Sequence, residues 1–281
     1  MPVHVTGPPP FVAATDLSGL QPVLVDVRWY LDGRSGRDAY LSGHLPGAVF
    51  VDLDRHLAGP GAPTEGRHPL PSPARFAGGL AEAGIDDDDT VVAYDDAGGT
   101  VAARLVWLLR ATGRRAAVLD GGLQAWPGPL ETGEVHRPRT SPQVRPWPQD
   151  LLASTAEVAD LGAGGRPVLL DARAPARYRG ESEPVDPRAG HVPGARNLPA
   201  TDALDDDGRL RPVEQLRAAM TAVGAGPGTP VVASCGSGVT ACFTLLVREQ
   251  AGLPPGRLWP ASFSGWSRDP DRTVVTGAAP H

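Results

Sequence analysis

Cys235 is the residue of this chain whose surroundings are best suited to covalent chemistry. It follows Val231–Ala233, which we predict to be a short buried strand, and precedes residues 239–250, which we predict to be a helix. Gly236 and Gly238 allow a tight turn between the two. A thiol at this junction faces backbone N–H groups that have no helical partner, and such donors favour the nucleophilic thiolate. We therefore predict that Cys235 forms a covalent intermediate.

The second cysteine, Cys242, lies within the apolar run of the predicted helix, where we expect it to pack as a small hydrophobic residue. A helix would place its Cα roughly 10 Å from that of Cys235, which is too far for a disulfide. Two cysteines without a repeated spacing form no disulfide framework, which fits a reducing compartment.

The amino-acid composition limits the classes of partner and substrate that the chain is expected to bind. The chain has 281 residues, 41% hydrophobic and 21% charged, and a net charge of −6, which is typical of a folded protein and disfavours nucleic acid or an anionic membrane as partner. We see no signal peptide and no membrane-spanning stretch, so we expect a cytoplasmic protein. All 26 basic residues are arginines, which excludes a Schiff-base lysine and leaves the guanidinium fork to bind an anionic substrate.

The chain contains an internal duplication with a period of a whole domain. Four landmarks recur at separations of 140 to 147 positions: residues 23–28 and 168–173, residues 43–48 and 190–195, residues 91–93 and 231–233, and Trp126 and Trp266. Each half alternates short apolar strands with helical stretches, which predicts an α/β fold with a parallel sheet flanked by helices on both faces. We expect an N-terminal domain at 1–136, a proline-rich linker at 137–150 and a C-terminal domain at 151–281.

The two halves differ at the position of the nucleophile. Aligning the two Val-Val-Ala strands places Asp95 opposite Cys235, so the first half has no equivalent thiol. The first half also has a longer connection before this strand, which includes Gly66, Arg67 and His68. We expect the second half to carry the chemistry and the first half to support it, with this loop as a candidate contribution to the site.

These motifs together resemble the rhodanese (sulfurtransferase) family in its two-domain form. They are Asp-Val-Arg and Asp-Ala-Arg, the paired Gly-His-x-Pro-Gly-Ala turns, Leu-Asp-Gly-Gly-Leu-Gln-Ala-Trp (119–126) and Cys-Gly-Ser-Gly-Val-Thr-Ala (235–241). The last is similar to the active-site loop of the 3-mercaptopyruvate branch. The thiosulfate branch usually carries Cys-Arg-Lys-Gly-Val-Thr, so the neutral Gly236 and Ser237 favour 3-mercaptopyruvate as donor.

The resemblance implies that the Cys235 thiolate takes sulfur from this small-molecule donor, releases pyruvate and becomes a persulfide. A thiol acceptor such as thioredoxin, or cyanide, then removes the outer sulfur. Backbone N–H groups of the loop would surround the persulfide charge, and their residues are Gly236, Gly238, Val239 and Thr240. No cofactor and no metal is expected, since the cysteines and histidines show no clustered ligand spacing.

The resemblance also assigns two arginines to the donor carboxylate. Arg177 matches a substrate-binding arginine of the family. The family's second arginine follows a Glu-Pro pair, but here Glu183-Pro184 is followed by Val185. Arg188 lies three residues further along, and we predict that it substitutes.

Ser237, His68 and Asp54 match a serine–histidine–aspartate set proposed for the 3-mercaptopyruvate branch. A histidine oriented by a carboxylate could polarise the serine hydroxyl beside the donor ketone. His44 and His191 recur in both halves, including the half without the cysteine, so we expect them to be structural.

Several alternatives remain open at this stage. Thiosulfate:cyanide transfer could use the same site, and a non-catalytic sulfur carrier or interaction module would also keep Cys235. A cysteine phosphatase requires an arginine six positions after the cysteine, where this chain has Ala241. A serine hydrolase lacks its Gly-x-Ser-x-Gly elbow at Ser237. We expect a monomer, because the duplication already supplies an internal pseudo-dimer.

Overall fold

A computed structural model describes residues 7–161 and 166–280, and their contacts form two compact units. The first unit comprises the described residues of Met1–Gly59, Leu70–Pro148 and Asp205–Leu210; the second comprises those of Pro60–Pro69, Gln149–Leu204 and Arg211–His281. The units therefore do not follow the two repeats strictly. Pro60–Pro69, from the first repeat, belongs to the second unit, and Asp205–Leu210, from the second repeat, belongs to the first.

The proline-rich stretch predicted as a linker packs on the first unit as far as Pro148. Residues 132–148 form neither helix nor strand, in keeping with their proline content. Trp147 anchors the stretch: its Nε1 donates a hydrogen bond to the Pro71 carbonyl at 2.8 Å, and its ring lies 5.3 Å from that of Phe76. The segment is held by side-chain contacts within the first unit.

The first unit contains a five-stranded parallel sheet with the order β1-β5-β4-β2-β3. Its strands are β1 (Phe11–Val12), β2 (Val23–Asp26), β3 (Val49–Phe50), β4 (Thr90–Tyr94) and β5 (Arg115–Leu119). Its helices are α1 (Leu17–Leu20), α2 (Gly36–Ser42), α3 (Pro73–Glu82) and α4 (Ala102–Ala111). The central strands are almost entirely buried, as is typical of strands covered on both faces.

The second unit repeats this plan with a four-stranded parallel sheet of order β7-β6-β8-β9. Its strands are β6 (Val168–Asp171), β7 (Arg196–Asn197), β8 (Val231–Ser234) and β9 (Arg257–Leu258). Its helices are α5 (Thr155–Ala159), α6 (Pro175–Arg179), α7 (Val213–Ala222), α8 (Thr240–Gln250) and α9 (Ser262–Arg268). The two parallel sheets confirm the predicted α/β architecture, and β8 and α8 each lie within one residue of the elements predicted around Cys235.

A buried ion pair lies at the carboxyl end of β2 in the first unit and at the carboxyl end of β6 in the second. In the first unit Arg28 pairs with Asp26 at 2.7 Å, and in the second Arg173 pairs with Asp171 at 2.7 Å. Each guanidinium also donates to the carbonyl of the glycine before the repeated histidine, at 2.6 Å and 2.8 Å respectively. These pairs therefore join the strand ends to the Gly-His turns, as a structural motif would.

The repeated histidines are buried against tyrosines. Nδ1 of His44 lies 2.9 Å from the Tyr40 carbonyl, and Nδ1 of His191 lies 2.9 Å from the Tyr178 carbonyl. Each imidazole also stacks on the ring of the same tyrosine. Their equivalent packing in both units supports the structural role predicted for them.

Among the helices of the described residues, the longest is α8, with 11 residues. None of these helices combines the length and the apolarity that crossing a membrane requires.

Candidate active site

Cys235 lies directly after β8, at the carboxyl end of the second sheet, and is 3% exposed. Its Sγ accepts a hydrogen bond from the Gly238 N–H at 3.1 Å. Gly238 has a φ of +79°, and a Cβ atom there would lie 2.5 Å from the Pro260 carbonyl oxygen. Only glycine fits this turn without strain, so the glycine predicted to permit the turn also brings an N–H donor to the sulfur.

The first residues of α9 form hydrogen bonds with the loop that contains Cys235. The Ser262 hydroxyl accepts a hydrogen bond from the Cys235 N–H at 3.2 Å. The Phe263 and Ser264 N–H groups donate to the carbonyls of Cys235 and Gly236 at 3.1 and 2.7 Å. Hydrogen bonds to its own N–H and carbonyl thus hold Cys235 in place, which limits its motion.

Ser237 and His68 lie together in the second unit, although 169 residues separate them. Nδ1 of His68 is 2.8 Å from Oγ of Ser237, and the two residues are 5% and 6% exposed. The pairing depends on Pro60–Pro69, because the Arg67 N–H donates to the Ser264 hydroxyl at 3.0 Å and anchors this segment beside α9. The structure therefore brings together two members of the predicted set.

The third member, Asp54, belongs to the first unit. It lies in the short helical turn Leu53–Leu57, and its Oδ2 accepts a hydrogen bond from Nε1 of Trp29 at 2.9 Å. Its predicted pairing with His68 stays a prediction.

Arg177, on α6, points its guanidinium toward the cysteine loop. Its Nε and Nη2 donate to Glu183 at 3.2 and 2.6 Å, and Nη2 also reaches Asp186 at 3.3 Å. A Cβ atom at Gly236 would lie 3.6 Å from Nη1 of Arg177. Within the described part of the chain, Nη1 makes no hydrogen bond, so it is placed to bind a ligand next to Cys235.

Arg188 does not face the loop in this way. Its three guanidinium nitrogens donate to backbone carbonyls at 2.6 to 2.9 Å, namely those of Trp266, Ser267, Asp269 and Arg272. The guanidinium fixes the end of α9 and the turn that follows. This arrangement speaks against the substrate-binding role predicted for Arg188, because its donors are already bonded to the protein.

Two residues of this region, Arg67 and Asp186, were not predicted as site residues. The carboxylate of Asp186 has no exposed surface and accepts hydrogen bonds from three arginines: Arg67, Arg177 and Arg268. Nη2 of Arg67 would lie 3.1 Å from a Cβ atom at Gly236. The longer loop of the first repeat was a signal for Arg67, whereas no sequence pattern pointed to Asp186.

Glu183 is the second carboxylate of this cluster, and its side chain is almost fully buried. Burial opposes ionisation of the carboxyl, but hydrogen bonds from Arg177 and from the N–H groups of Asp186 and Val185 outweigh it and lower its pKa below the ordinary 4.5. Glu183 is therefore an anion at neutral pH and orients Arg177.

Both repeats match the family described as Rhodanese-like domain, over residues 13–128 and 154–269. The chain belongs to the rhodanese family. The two matched regions contain the strands of the two parallel sheets apart from β1, and the resemblance is confirmed over most of the chain.

Relatives of this rhodanese chain carry names for two different donors. It is 44% identical to a Pseudomonas aeruginosa protein named "Probable 3-mercaptopyruvate sulfurtransferase", covering 94% of this chain and 95% of that protein. It is 43% identical to SseB of Mycobacterium tuberculosis, whose name assigns it to the thiosulfate sulfurtransferases, covering 95% and 97%. The crystal structure of SseA from Escherichia coli, titled for 3-mercaptopyruvate sulfotransferases, matches with a TM-score of 0.79 and 30% identity over 91% of this chain and 99% of that one.

The first rhodanese repeat has a carboxylate where the second has the reactive sulfur. Asp95 follows β4, is fully buried, and accepts four backbone N–H groups at 2.7 to 2.8 Å: those of Ala97, Gly99, Val101 and Ala102. The loop before α4 is thus a nest of donors filled by the protein's own anion. In the second repeat the corresponding loop supplies the Gly238 N–H to Sγ of Cys235.

No group of three or more histidine, cysteine or carboxylate side chains in the described ranges could hold a metal ion.

Proposed function

We propose that this rhodanese chain is a sulfurtransferase that moves sulfur from 3-mercaptopyruvate to Cys235 and then to a thiol acceptor or cyanide. The observation that most directly supports this proposal is the arrangement of polar groups around Sγ of Cys235. A backbone N–H donates to Sγ of Cys235, a guanidinium lies beside the next residue, and a serine–histidine pair belongs to the same loop region. The N–H group would stabilise a thiolate nucleophile, and the guanidinium would bind an anionic donor. The serine–histidine pair would hydrogen-bond to a carbonyl group of that donor.

In the first half-reaction the Cys235 thiolate attacks the sulfur of 3-mercaptopyruvate. A bond forms between Sγ and this sulfur, and the carbon–sulfur bond breaks. Its electron pair passes to the carbon next to the ketone and gives the enolate of pyruvate. The enolate takes up one proton, which balances the thiol proton that the donor sulfur loses when the persulfide forms as an anion. Cys235 is left as a persulfide, whose charge is stabilised by the Gly238 N–H and by the predicted donors of Gly236, Val239 and Thr240.

Ser237 is proposed to donate its hydroxyl hydrogen bond to the ketone oxygen, where negative charge develops. His68, 2.8 Å from this hydroxyl, holds it in position and can exchange its proton. Asp54 is proposed to orient His68. The pair is needed only for a donor that has a carbonyl group.

Arg177 is proposed to bind the donor carboxylate. Glu183 fixes two nitrogens of the guanidinium and leaves Nη1 for the ligand. A positioned guanidinium binds a carboxylate more strongly than a mobile one, because less side-chain entropy is lost on binding.

In the second half-reaction an acceptor attacks the outer sulfur of the persulfide. The sulfur–sulfur bond breaks, its electron pair returns to Sγ, and the thiolate of Cys235 is regenerated. Cyanide leaves as thiocyanate, and a thiol such as that of thioredoxin leaves as a persulfide. Sulfur is transferred throughout as a neutral atom, so no external oxidant is required.

We further propose that the protein acts as a monomer in the cytoplasm. Cys235 and Cys242 are buried and form no disulfide with each other, which agrees with a reducing compartment. A single species of about 29 kDa in size-exclusion chromatography with light scattering would support the monomer; a dimer would refute it.

Thiosulfate is the second candidate donor, since Arg67 and Arg177 lie beside Gly236 and one relative carries that name. The neutral Gly236 and Ser237 argue against it. The deciding experiment compares kcat/KM for 3-mercaptopyruvate and thiosulfate with cyanide as acceptor. A strong preference for 3-mercaptopyruvate supports the proposal, a preference for thiosulfate reassigns the donor, and no transfer from either supports a non-catalytic module.

A further inference from the structure

We infer that Ser262 is a positioning residue for the nucleophile. Its hydroxyl holds the backbone of Cys235 so that Sγ stays on the Gly238 N–H, and it does so from a strained backbone conformation that lowers local stability. This inference rests on the proposed function and deepens it, because it adds a fully buried residue outside the cysteine loop to the site of sulfur transfer.

Ser262 begins α9 in the left-handed region of backbone conformations. Its φ is +49°, and among the residues that the structure describes, Gln21 is the one other non-glycine residue with a positive φ. An L-residue is strained in this region because its Cβ atom approaches the neighbouring backbone. Gln21 is exposed at the end of α1, where this conformation is common, whereas Ser262 is fully buried. Strain at a buried residue persists only where its contacts hold it.

The Ser262 hydroxyl both accepts and donates a hydrogen bond. It accepts from the Cys235 N–H at 3.2 Å and donates to the Trp259 carbonyl at 2.9 Å. The donated bond directs the hydroxyl proton away from Cys235, so the oxygen presents a lone pair to the Cys235 N–H. The next residue, Phe263, donates its N–H to the Cys235 carbonyl at 3.1 Å. Two consecutive residues of α9 therefore hold both polar groups of the Cys235 backbone.

The first repeat has the backbone half of this arrangement without the hydroxyl. Ser262 corresponds to Gly122, at the same separation of 140 positions that relates Cys235 to Asp95. Gly122 also has a positive φ, of +57°, and the Leu123 N–H donates to the Asp95 carbonyl at 2.8 Å. A Cβ atom at Gly122 would lie 2.4 Å from this carbonyl oxygen. Both repeats thus use the conformation, but the repeat with the cysteine has serine where glycine would be unstrained.

The difference between Asp95 and Cys235 explains why one loop needs the hydroxyl more than the other. The Asp95 carboxylate accepts four backbone N–H groups, which fix its loop from within, whereas Sγ of Cys235 accepts one, from Gly238. The cysteine loop therefore depends more strongly on contacts from α9. Rotation of the peptide group before Cys235 would displace Sγ, and a displacement of about 1 Å at a reacting atom can lower a rate on the order of a hundredfold.

The test separates the hydroxyl of Ser262 from its Cβ atom. Ser262→Ala and Ser262→Gly both remove the hydroxyl, so both should lower kcat for sulfur transfer about tenfold while KM stays within about twofold of the wild-type value. Only Ser262→Gly also removes the strained Cβ atom, so its melting temperature should lie about 3 °C above that of Ser262→Ala. The value of kcat should therefore follow the hydroxyl, and the melting temperature should follow the backbone conformation.

Gln21→Gly is the matched control, since it relieves the same conformation at an exposed residue of the first unit. It should raise the melting temperature by about 3 °C and leave kcat unchanged. A merely structural role for Ser262 predicts a wild-type kcat in Ser262→Gly, and that result, or a raised KM at constant kcat, overturns the inference. If Ser262→Ala does not fold, as judged by circular dichroism, the kcat of Ser262→Gly decides alone.

A second readout requires no sulfur donor and so separates this inference from the proposed function. Alkylation of Cys235 by neutral iodoacetamide, followed by peptide mass spectrometry, reports on the reactivity of Sγ. Both Ser262 variants should react about fivefold more slowly than the wild-type and Gln21→Gly proteins, because a displaced sulfur loses the Gly238 N–H that favours its thiolate. This result supports the inference even if neither donor transfers sulfur, whereas equal or faster alkylation in the variants refutes it.

Discussion

At the scale of single residues, the proposed roles of nucleophile, carbonyl partner and anion clamp belong to side chains with different surroundings. Cys235 is buried with an N–H on its sulfur, Ser237 is bonded to His68, and Arg177 is oriented by Glu183. Each role can therefore be removed by a substitution that leaves the other two contacts in place.

The two cysteines should respond differently to the same change. Cys235→Ser should reduce sulfur transfer below detection, because a serine hydroxyl is not ionised at neutral pH and forms no persulfide. Cys242→Ser should retain most activity, since serine can replace the weak hydrogen bond from Sγ to the Gly238 carbonyl at 3.4 Å. Thiocyanate formation and mass spectrometry of the persulfide measure both; equal losses would show that Cys242 takes part in the reaction.

The Ser237–His68 pair should act as one unit and only on a donor with a ketone. Ser237→Ala should lower kcat with 3-mercaptopyruvate by about a hundredfold, and His68→Gln by a similar factor. The double variant should lose little more than either single one, because both changes remove the same hydrogen bond. Transfer from thiosulfate serves as the control, since it has no carbonyl; additive losses, or equal loss with thiosulfate, would contradict the assigned role.

At the scale of elements, both units place a side chain that accepts backbone N–H groups in the loop between a strand and a helix. In the second unit this side chain is Cys235, which accepts one N–H group, and in the first it is Asp95, which accepts four. The second feature at this scale is the segment Pro60–Pro69. It comes from the first repeat but belongs to the second unit, to which it contributes Arg67 and His68.

Removing the internal anion should destabilise the first unit. Asp95→Ala leaves four buried N–H groups without an acceptor, and we expect a loss of about 3 kcal/mol in the free energy of unfolding. Urea unfolding monitored by tryptophan fluorescence and circular dichroism measures the loss. Asp207→Ala, an exposed carboxylate of the same unit, should change the free energy by less than about 0.5 kcal/mol. A similar small effect at Asp95 would show that the nest tolerates an empty centre.

At the scale of the whole molecule, each unit contains a histidine that folding keeps neutral. Burial and the neighbouring charge of Arg55 lower the pKa of His56 in the first unit, against the opposing effect of Glu82. Burial likewise lowers the pKa of His191 in the second unit. Acidification therefore acts on both units through the same physical cause.

The stability of both units should fall as the pH drops below the ordinary histidine value of about 6.5. Because the folded pKa is lowered, the unfolded chain binds the proton first; the stabilisation is complete above 6.5 and is lost as the pH falls through the folded pKa. Each histidine can contribute a slope of at most about 1.4 kcal/mol per pH unit. Urea unfolding between pH 5 and 8 should show this decline, and His191→Asn should flatten it.

The exposed His136 supplies the control for this experiment. His136→Asn should leave the pH dependence as it is in the wild-type chain, since its side chain is 79% exposed. A His191→Asn protein with the wild-type slope would show that other groups cause the acid sensitivity.

The α/β class, the duplication and the placement of Cys235 could all be predicted from the sequence, because they depend on local order. Apolar runs, glycines and helix starts determine the local structure of a few residues. Val231–Ala233 and Gly238 therefore identify the loop at the end of the strand, whatever the fold of the rest of the chain. The arginine-only composition likewise determined that any anion clamp must be a guanidinium.

The tertiary structure alone decided which arginines face that loop. Arg188 is close in sequence to the expected position, yet its guanidinium is bonded to carbonyls around the end of α9, whereas Arg67, from the other repeat, lies beside Gly236. The segments 60–69 and 183–188 have no periodic pattern, so their path depends on contacts with distant residues such as Asp186 and Ser264. Side-chain direction in an irregular segment is set by packing and charge in three dimensions, which the order of residues along the chain does not specify.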